Sequence, residues 1–170
     1  MEVALMWGAK NRFDFGKTAM TTLPPTPADA TGMHNSFLEQ AQVELKRAER
    51  YRVFVSLVVL DISSVQKVLS VSTPETFGQI ETLTRKHVRA CDYISVCGDT
   101  CLVALFPETS RQGAEIAAKR LSETIRARVT ELSGGQVDEV VPLEMASFPD
   151  AAGARSVSAL LGELANRHRN

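Results

Sequence analysis

Residues 87–101 gather most of the reactive side chains in this chain. His87, Cys91, Cys97 and Cys101 are soft ligands close together in sequence, a combination that suits zinc. The spacing of the three cysteines matches no common zinc finger and shows no obvious fourth ligand, although His87, one turn before Cys91, keeps a metal reading open. Against that reading stands a plainer one, in which the thiols pack as small hydrophobes and a disulfide across the turn forms only on oxidation. Between the first two cysteines and just before them lie Arg89 and Asp92. An arginine fork binds planar anions, and a carboxylate accepts from N–H donors. Arg89 also suits a helix C-terminus with no ligand at all, and Asp92 can pair with it or cap the strand that follows. Asp61 ends an apolar run, where a carboxylate commonly caps the next turn.

The elements that must position these groups are legible from periodicity. Ser36-Phe-Leu-Glu39 has capping-box spacing, and Phe37, Leu38, Ala41, Leu45 and Ala48 follow on one helical face. Val53 to Asp61 is a nearly continuous apolar run, which predicts a central strand covered on both faces. A short helical segment runs through Val65, Val68 and Leu69. Thr73-Pro74 starts the next helix, with Phe77, Ile80, Leu83, Thr84, His87 and Val88 as its face. Arg89-Ala-Cys-Asp92 reads as that helix's end. Tyr93–Phe106 then reads as a β-hairpin closed by the two-residue loop Gly98-Asp99. Ser110 caps a long helix through Ala114, Ala117, Ala118, Leu121, Ile125, Val129 and Leu132, and Ser133-Gly-Gly135 stops it. Val137–Phe148 holds a strand whose Pro142 favours a sheet edge. Ser156–Arg167 is a last amphipathic helix through Val157, Leu160, Leu161 and Leu164. Periodicity therefore predicts α/β or α+β, with helices packed on a mixed sheet.

Composition bounds the function. The chain has 170 residues, 44% hydrophobic and 23% charged, with formal net charge −1. That is enough for one domain with a core, expected over 29–170, behind an N-terminal tail and Pro-rich linker over 1–28. The near-neutral charge gives no argument for a basic footprint on nucleic acid or an anionic membrane, and no apolar run has the length of a membrane span. The N-terminus lacks the basic start and apolar centre of a signal peptide, and an odd number of cysteines makes no disulfide framework. A cytoplasmic location is the expectation.

The stretch Arg89-Ala-Cys-Asp92-Tyr-Ile-Ser-Val-Cys-Gly98-Asp-Thr-Cys-Leu102-Val-Ala-Leu-Phe-Pro107 resembles the signature hairpin of the GGDEF family, the bacterial diguanylate cyclases. There the turn reads Gly-Gly-Asp/Glu-Glu-Phe, preceded by Arg-x-x-Asp and followed by an apolar strand ending in proline. Asp29-Ala-Thr-Gly-Met-His-Asn35 resembles a shortened form of the family's opening motif. Leu45–Tyr51, Val53–Asp61, Pro107–Ser110, Gly113–Leu121 and Ala146–Pro149 resemble later segments in the family's order. The resemblance implies a ferredoxin-like βααββαβ core, a mixed central sheet flanked by helices. A generic ferredoxin-like domain is the alternative that the periodicity leaves open.

Diguanylate cyclases join two GTP molecules with the help of a divalent cation. The resemblance assigns one metal-ligand position to Asp61 and the other to the third turn position, Thr100, whose hydroxyl carries no charge. The five turn positions here are Gly98, Asp99, Thr100, Cys101 and Leu102. Cys101 replaces the acidic fourth residue with a poor partner for a hard ion. Asp99 replaces the glycine that lets backbone approach phosphate; its carboxylate could shift to serve as a ligand, but a side chain there also crowds and repels phosphate. The guanine-reading asparagine corresponds to Leu69, which has no hydrogen bond to offer. The expectation is a degenerate domain with no catalytic residues, no cofactor and no metal, Asp61 being vestigial.

What the resemblance retains is a product-binding site away from catalysis. Arg89 and Asp92 match its Arg-x-x-Asp, and Arg120 matches its further arginine, while an arginine present in some members corresponds to Ile116. Arg120 also fits a solvated helix face. Three readings follow: a cyclic di-GMP receptor working through protein partners of a bacterial signalling pathway or its own homodimer; a pure protein-interaction scaffold; and a weak cyclase using GTP and Mg²⁺.

Overall fold

The computed structural model describes residues 27–65, 74–97, 100–134, 142–149 and 155–167. Helix α1 (Pro27–Tyr51) begins well before the expected cap at Ser36. Proline is tolerated in a first turn, where its missing N–H has no intrahelical partner. Ser36 therefore lies inside the helix, exposed, and the capping-box assignment is corrected. Phe37, Ala41, Leu45 and Ala48 form its buried stripe.

Strand β1 (Val55–Asp61) is buried from Val55 to Leu60, as its unbroken apolar run requires. Helix α2 (Pro74–Arg85) buries Ile80 and Thr84, and the Thr84 hydroxyl donates to the Ile80 carbonyl at 2.6 Å. It ends earlier than expected. His87 and Arg89 lie past its last turn, exposed, so neither sits on the helix face nor at its final residue. The expected segments at Val68 and Leu69, and the cap at Thr73, fall outside the described residues.

Strands β2 (Tyr93–Cys97) and β3 (Cys101–Pro107) form the hairpin. Their last pair is Cys97 with Cys101, so three residues separate the strands instead of two. The Thr100 carbonyl accepts from Ile62 N–H at 2.7 Å. Helix α3 (Arg111–Ser133) is capped by Ser110, whose hydroxyl accepts from Gly113 N–H. It stops at Gly134, where φ of 65° suits a residue without Cβ and the N–H reaches the Thr130 carbonyl. Strand β4 (Pro142–Phe148) and helix α4 (Val157–Arg167) complete the domain, with Val157, Leu160, Leu161 and Leu164 buried as expected.

The sheet order is β2-β3-β1-β4, with β4 on an edge as Pro142 requires. All three pairings are antiparallel. This corrects the mixed sheet within an otherwise ferredoxin-like α+β fold. The helical crossovers join β1 to β2 and β3 to β4, and each such parallel couple is separated by a strand running the opposite way. No parallel neighbours arise.

Alternation along the strands sends residues to two cores. Leu57, Val59, Val103 and Leu105 meet α1 and α4, and Val58, Leu60, Leu102, Ala104 and Phe106 meet α2 and α3. At the centre of the sheet, Ser56 is fully buried. Its hydroxyl donates to the Thr109 carbonyl at 2.8 Å and lies 2.8 Å from the Ser147 hydroxyl, so Ser147 is left to donate to Ser56.

Candidate functional site

One cavity of about 230 Å³ is lined by Arg89, Asp92, Phe106, Thr109, Gly113, Ile116, Ala117 and Arg120. Three segments build it. The turn before β2 brings Arg89 and Asp92, the end of β3 with the loop after it brings Phe106 and Thr109, and α3 brings a stripe at 113, 116, 117 and 120. That spacing is one face of a helix, turned away from the core face at Ala114, Ala118, Leu121 and Ile125. The three residues that the sequence singled out for ligand binding thus border one space, although Arg120 is far from the other two in sequence.

Their environments differ. Asp92 is buried, and its carboxylate accepts from the Arg89 backbone N–H at 2.8 Å. The Asp92 N–H returns a bond to the Arg89 carbonyl at 3.1 Å. Asp92 therefore caps the chain as it enters β2 through Arg89's main chain. An ionised carboxylate has about four acceptor sites, so the capping leaves capacity for further donors. Arg89 and Arg120 are exposed and leave their guanidinium groups at the rim. Phe106 is buried at 3% exposure, whereas Ile116 is 66% exposed, which gives the cavity an apolar floor and an apolar edge. Sequence reasoning missed Phe106 and Thr109 as lining residues. No pattern in the sequence marks either, since they border one space only where β3 and α3 pack together.

At the opposite end of β1, the Asp61 carboxylate accepts from Ser63 N–H at 2.7 Å, the cap reading expected for it. Asp61 pairs with Cys101 across the sheet, and Thr100 is exposed beside it. Gly98 and Asp99 fall outside the described residues, as does Leu69. Among the described residues here, Thr100 and Cys101 are poor partners for a hard divalent cation. Thr100 is neutral and Cys101, the cross-strand neighbour of Asp61, is a buried thiol, while the Asp61 carboxylate keeps acceptor capacity beyond its bond to Ser63 N–H. Among the described residues no group of three or more His, Cys, Asp or Glu side chains could hold a metal ion.

The cysteines divide. Cys97 and Cys101 are buried with Val59, Val103 and Leu164, as small hydrophobes would be, while Cys91 is exposed. Burial pushes the Cys97 thiol up from its ordinary value, and the neighbouring Cys101 adds to the effect while Arg167 opposes it. No described helix is long and apolar enough to cross a membrane.

Neither a protein-family model nor a curated protein matches the sequence. Solved structures do match. The GGDEF domain of FimX from Pseudomonas aeruginosa is 19% identical with a TM-score of 0.56, the match covering 86% of this chain and 90% of that one. The active GGEEF domain of a diguanylate cyclase from Vibrio cholerae is 16% identical with a TM-score of 0.54, covering 78% and 90%. The diguanylate cyclase SiaD from Pseudomonas aeruginosa, determined with its activator SiaC, is 20% identical with a TM-score of 0.55. That match covers 82% of this chain but 56% of SiaD, so the chain spans little more than half of that enzyme. At these identities the likeness is one of architecture, and it establishes that this chain has the fold of a GGDEF domain.

Proposed function

We propose that this chain is a degenerate GGDEF domain that makes no cyclic di-GMP and instead binds it at Arg89, Asp92 and Arg120. The observation that carries the reading is the single cavity bordered by all three. Two guanidinium groups at its rim suit the phosphates and the acceptor edge of guanine, the Asp92 carboxylate suits guanine N–H groups, and Phe106 with Ile116 suits the face of a base. The proposed inactivity rests on Asp61, Thr100 and Cys101, whose chemistry does not hold Mg²⁺ with the charge that two triphosphates demand.

In this reading the domain is a cytoplasmic regulatory module of a bacterial signalling pathway. Its output is a protein contact, with another protein or with a second copy of itself. SiaD, a protein of the same fold, is seen with a protein activator, which supports a protein partner here.

Calorimetric titration of cyclic di-GMP into the wild type and an Arg89→Ala variant tests the proposal, with GTP plus Mg²⁺ as a parallel titrant. Micromolar binding, about −8 kcal/mol, that vanishes in the variant is the expected result. Silence with both ligands leaves a scaffold acting through protein contacts alone. Turnover of GTP that depends on Mg²⁺ and on Asp61 restores the enzyme reading.

A further inference from the structure

Cys97 and Cys101 close the last rung of the β2–β3 hairpin as direct cross-strand partners. Directly opposed residues in an antiparallel pair have Cα atoms about 4.5 Å or 5.5 Å apart, depending on whether the pair is hydrogen-bonded. Both spacings lie inside the range of about 4.4–6.8 Å that a disulfide spans. Opposed residues also project to the same face. Both thiols accordingly sit in one core cluster, 4% and 7% exposed, against Val59, Val103 and Leu164. Each is close enough to the other for Cys101 to shift the ionisation of Cys97. The third cysteine, Cys91, is exposed and lies before the start of β2.

We infer that Cys97 and Cys101 form a thiol-oxidation site, in which a peroxide joins them as an intrachain disulfide across the end of the hairpin. One sulfur, as thiolate, attacks a peroxide oxygen and becomes a sulfenic acid as water leaves with the released proton. The second thiolate attacks that sulfur, forming the S–S bond and displacing the hydroxyl group as a second water. Two thiols are oxidised and one hydrogen peroxide is reduced to two waters, so the balance needs no other reactant.

Position decides the pairing. The rung adjoins the three-residue connection between the strands, where Thr100 is exposed and its hydroxyl lies 3.7 Å from the Cys101 sulfur. A ladder's end opens at lower cost than its middle, so a small oxidant reaches this rung first. Once one sulfur is oxidised, its cross-strand partner is the nearest thiol, and Cys91 has no place in the pair. The site is independent of nucleotide binding, since neither cysteine lines the cavity at Arg89.

The test is differential thiol labelling of the full chain. Wild type and Cys91→Ser are treated with hydrogen peroxide until no further thiol is lost, with circular dichroism confirming that the chain stays folded. Thiols are then alkylated under denaturing conditions, the protein is reduced, and the newly released thiols take a second alkylating reagent. Trypsin leaves all three cysteines in one peptide, residues 90–111, and fragment ions assign each label. The expected result is the second label on Cys97 and Cys101 in equal yield in both proteins, with intact mass lower by two hydrogens in Cys91→Ser. Cys97 and Cys101 carrying only the first label, a disulfide that includes Cys91, or independent conversion of either to sulfinic acid overturns the inference. A Cys101→Ala variant provides a second arm: Cys97 then stops at the sulfenic acid, which dimedone traps, and no intrachain disulfide forms.

Discussion

The carboxylate of Asp92 holds the backbone of Arg89, not its guanidinium: Oδ2 accepts from the Arg89 N–H at 2.8 Å, and the Asp92 N–H reaches back to the Arg89 carbonyl at 3.1 Å. The Arg-x-x-Asp spacing thus folds into a closed turn that aims one arginine side chain outward while burying the acid. Asp92→Ala removes the acceptor, and unfolding in urea is expected to show a loss of about 1 kcal/mol, near the low end for a lost hydrogen bond because the freed N–H adjoins solvent. Asp92→Asn keeps an oxygen in place for Arg89. It is expected to retain most of that stability while losing dinucleotide affinity, a split that titration and denaturation together resolve.

Arg120 is exposed on α3 and lines the cavity without bracing the fold. Arg120→Ala is expected to leave stability within about 0.5 kcal/mol of wild type and to weaken cyclic di-GMP binding by at least about tenfold. Equal affinity in the two proteins would remove Arg120 from the proposed site.

Ile116 is 66% exposed at the cavity edge. Ile116→Arg adds a third guanidinium there at little cost to the core. Tighter binding by about tenfold, on the order of 1.4 kcal/mol, is expected in calorimetry.

Cys97 gives the stability a pH dependence. Burial holds its thiol protonated above the ordinary value of 9.0, while the unfolded chain ionises there. Below 9.0 both states are protonated and the group contributes no slope. As pH rises past 9.0 the unfolded state binds fewer protons than the folded one, so stability falls until the folded thiol itself ionises. Cys97→Ala is expected to show a shallower decline than wild type in urea denaturation across that range, with other titrating groups common to both proteins.

Gly134 ends α3 at φ of 65°, and a Cβ built there meets nothing within 4 Å. Gly134→Ala therefore tests backbone conformation alone, and a loss of about 1 kcal/mol is expected. Gly134→Asn is expected to lose less, since asparagine tolerates this region.

Much of this architecture was legible because one kind of information sufficed for it. The alternation-free run Val55–Leu60 demanded a doubly covered strand, and Val157, Leu160, Leu161 and Leu164 marked a helix face residue by residue. Ser110 and Gly134 announced both ends of α3. Ser36 misled, since its capping spacing was real but the residues before it were already helical. His87 misled in the same way, continuing a periodic face past a helix that stops at Arg85. The antiparallel β2–β3 pair was legible from its hairpin turn, whereas the pairings of β1 with β3 and with β4 were not, because they follow from which strand is inserted between the members of each crossover. For the cavity, Arg89, Asp92 and Arg120 came from resemblance to a known hairpin, whereas Phe106 and Thr109 became visible only once β3 and α3 were packed.

The buried hydroxyl of Ser56 reaches from the central strand to the carbonyl of Thr109, one wall of the cavity. That wall is consequently bolted to the stiffest part of the molecule, through a bond to a strand with neighbours on both sides. Whatever enters must conform to it there, and the work of adjustment falls to the long, exposed side chains of Arg89 and Arg120. Selectivity in such a pocket is set on its fixed side and capture on its mobile side, two duties that one hydroxyl keeps apart.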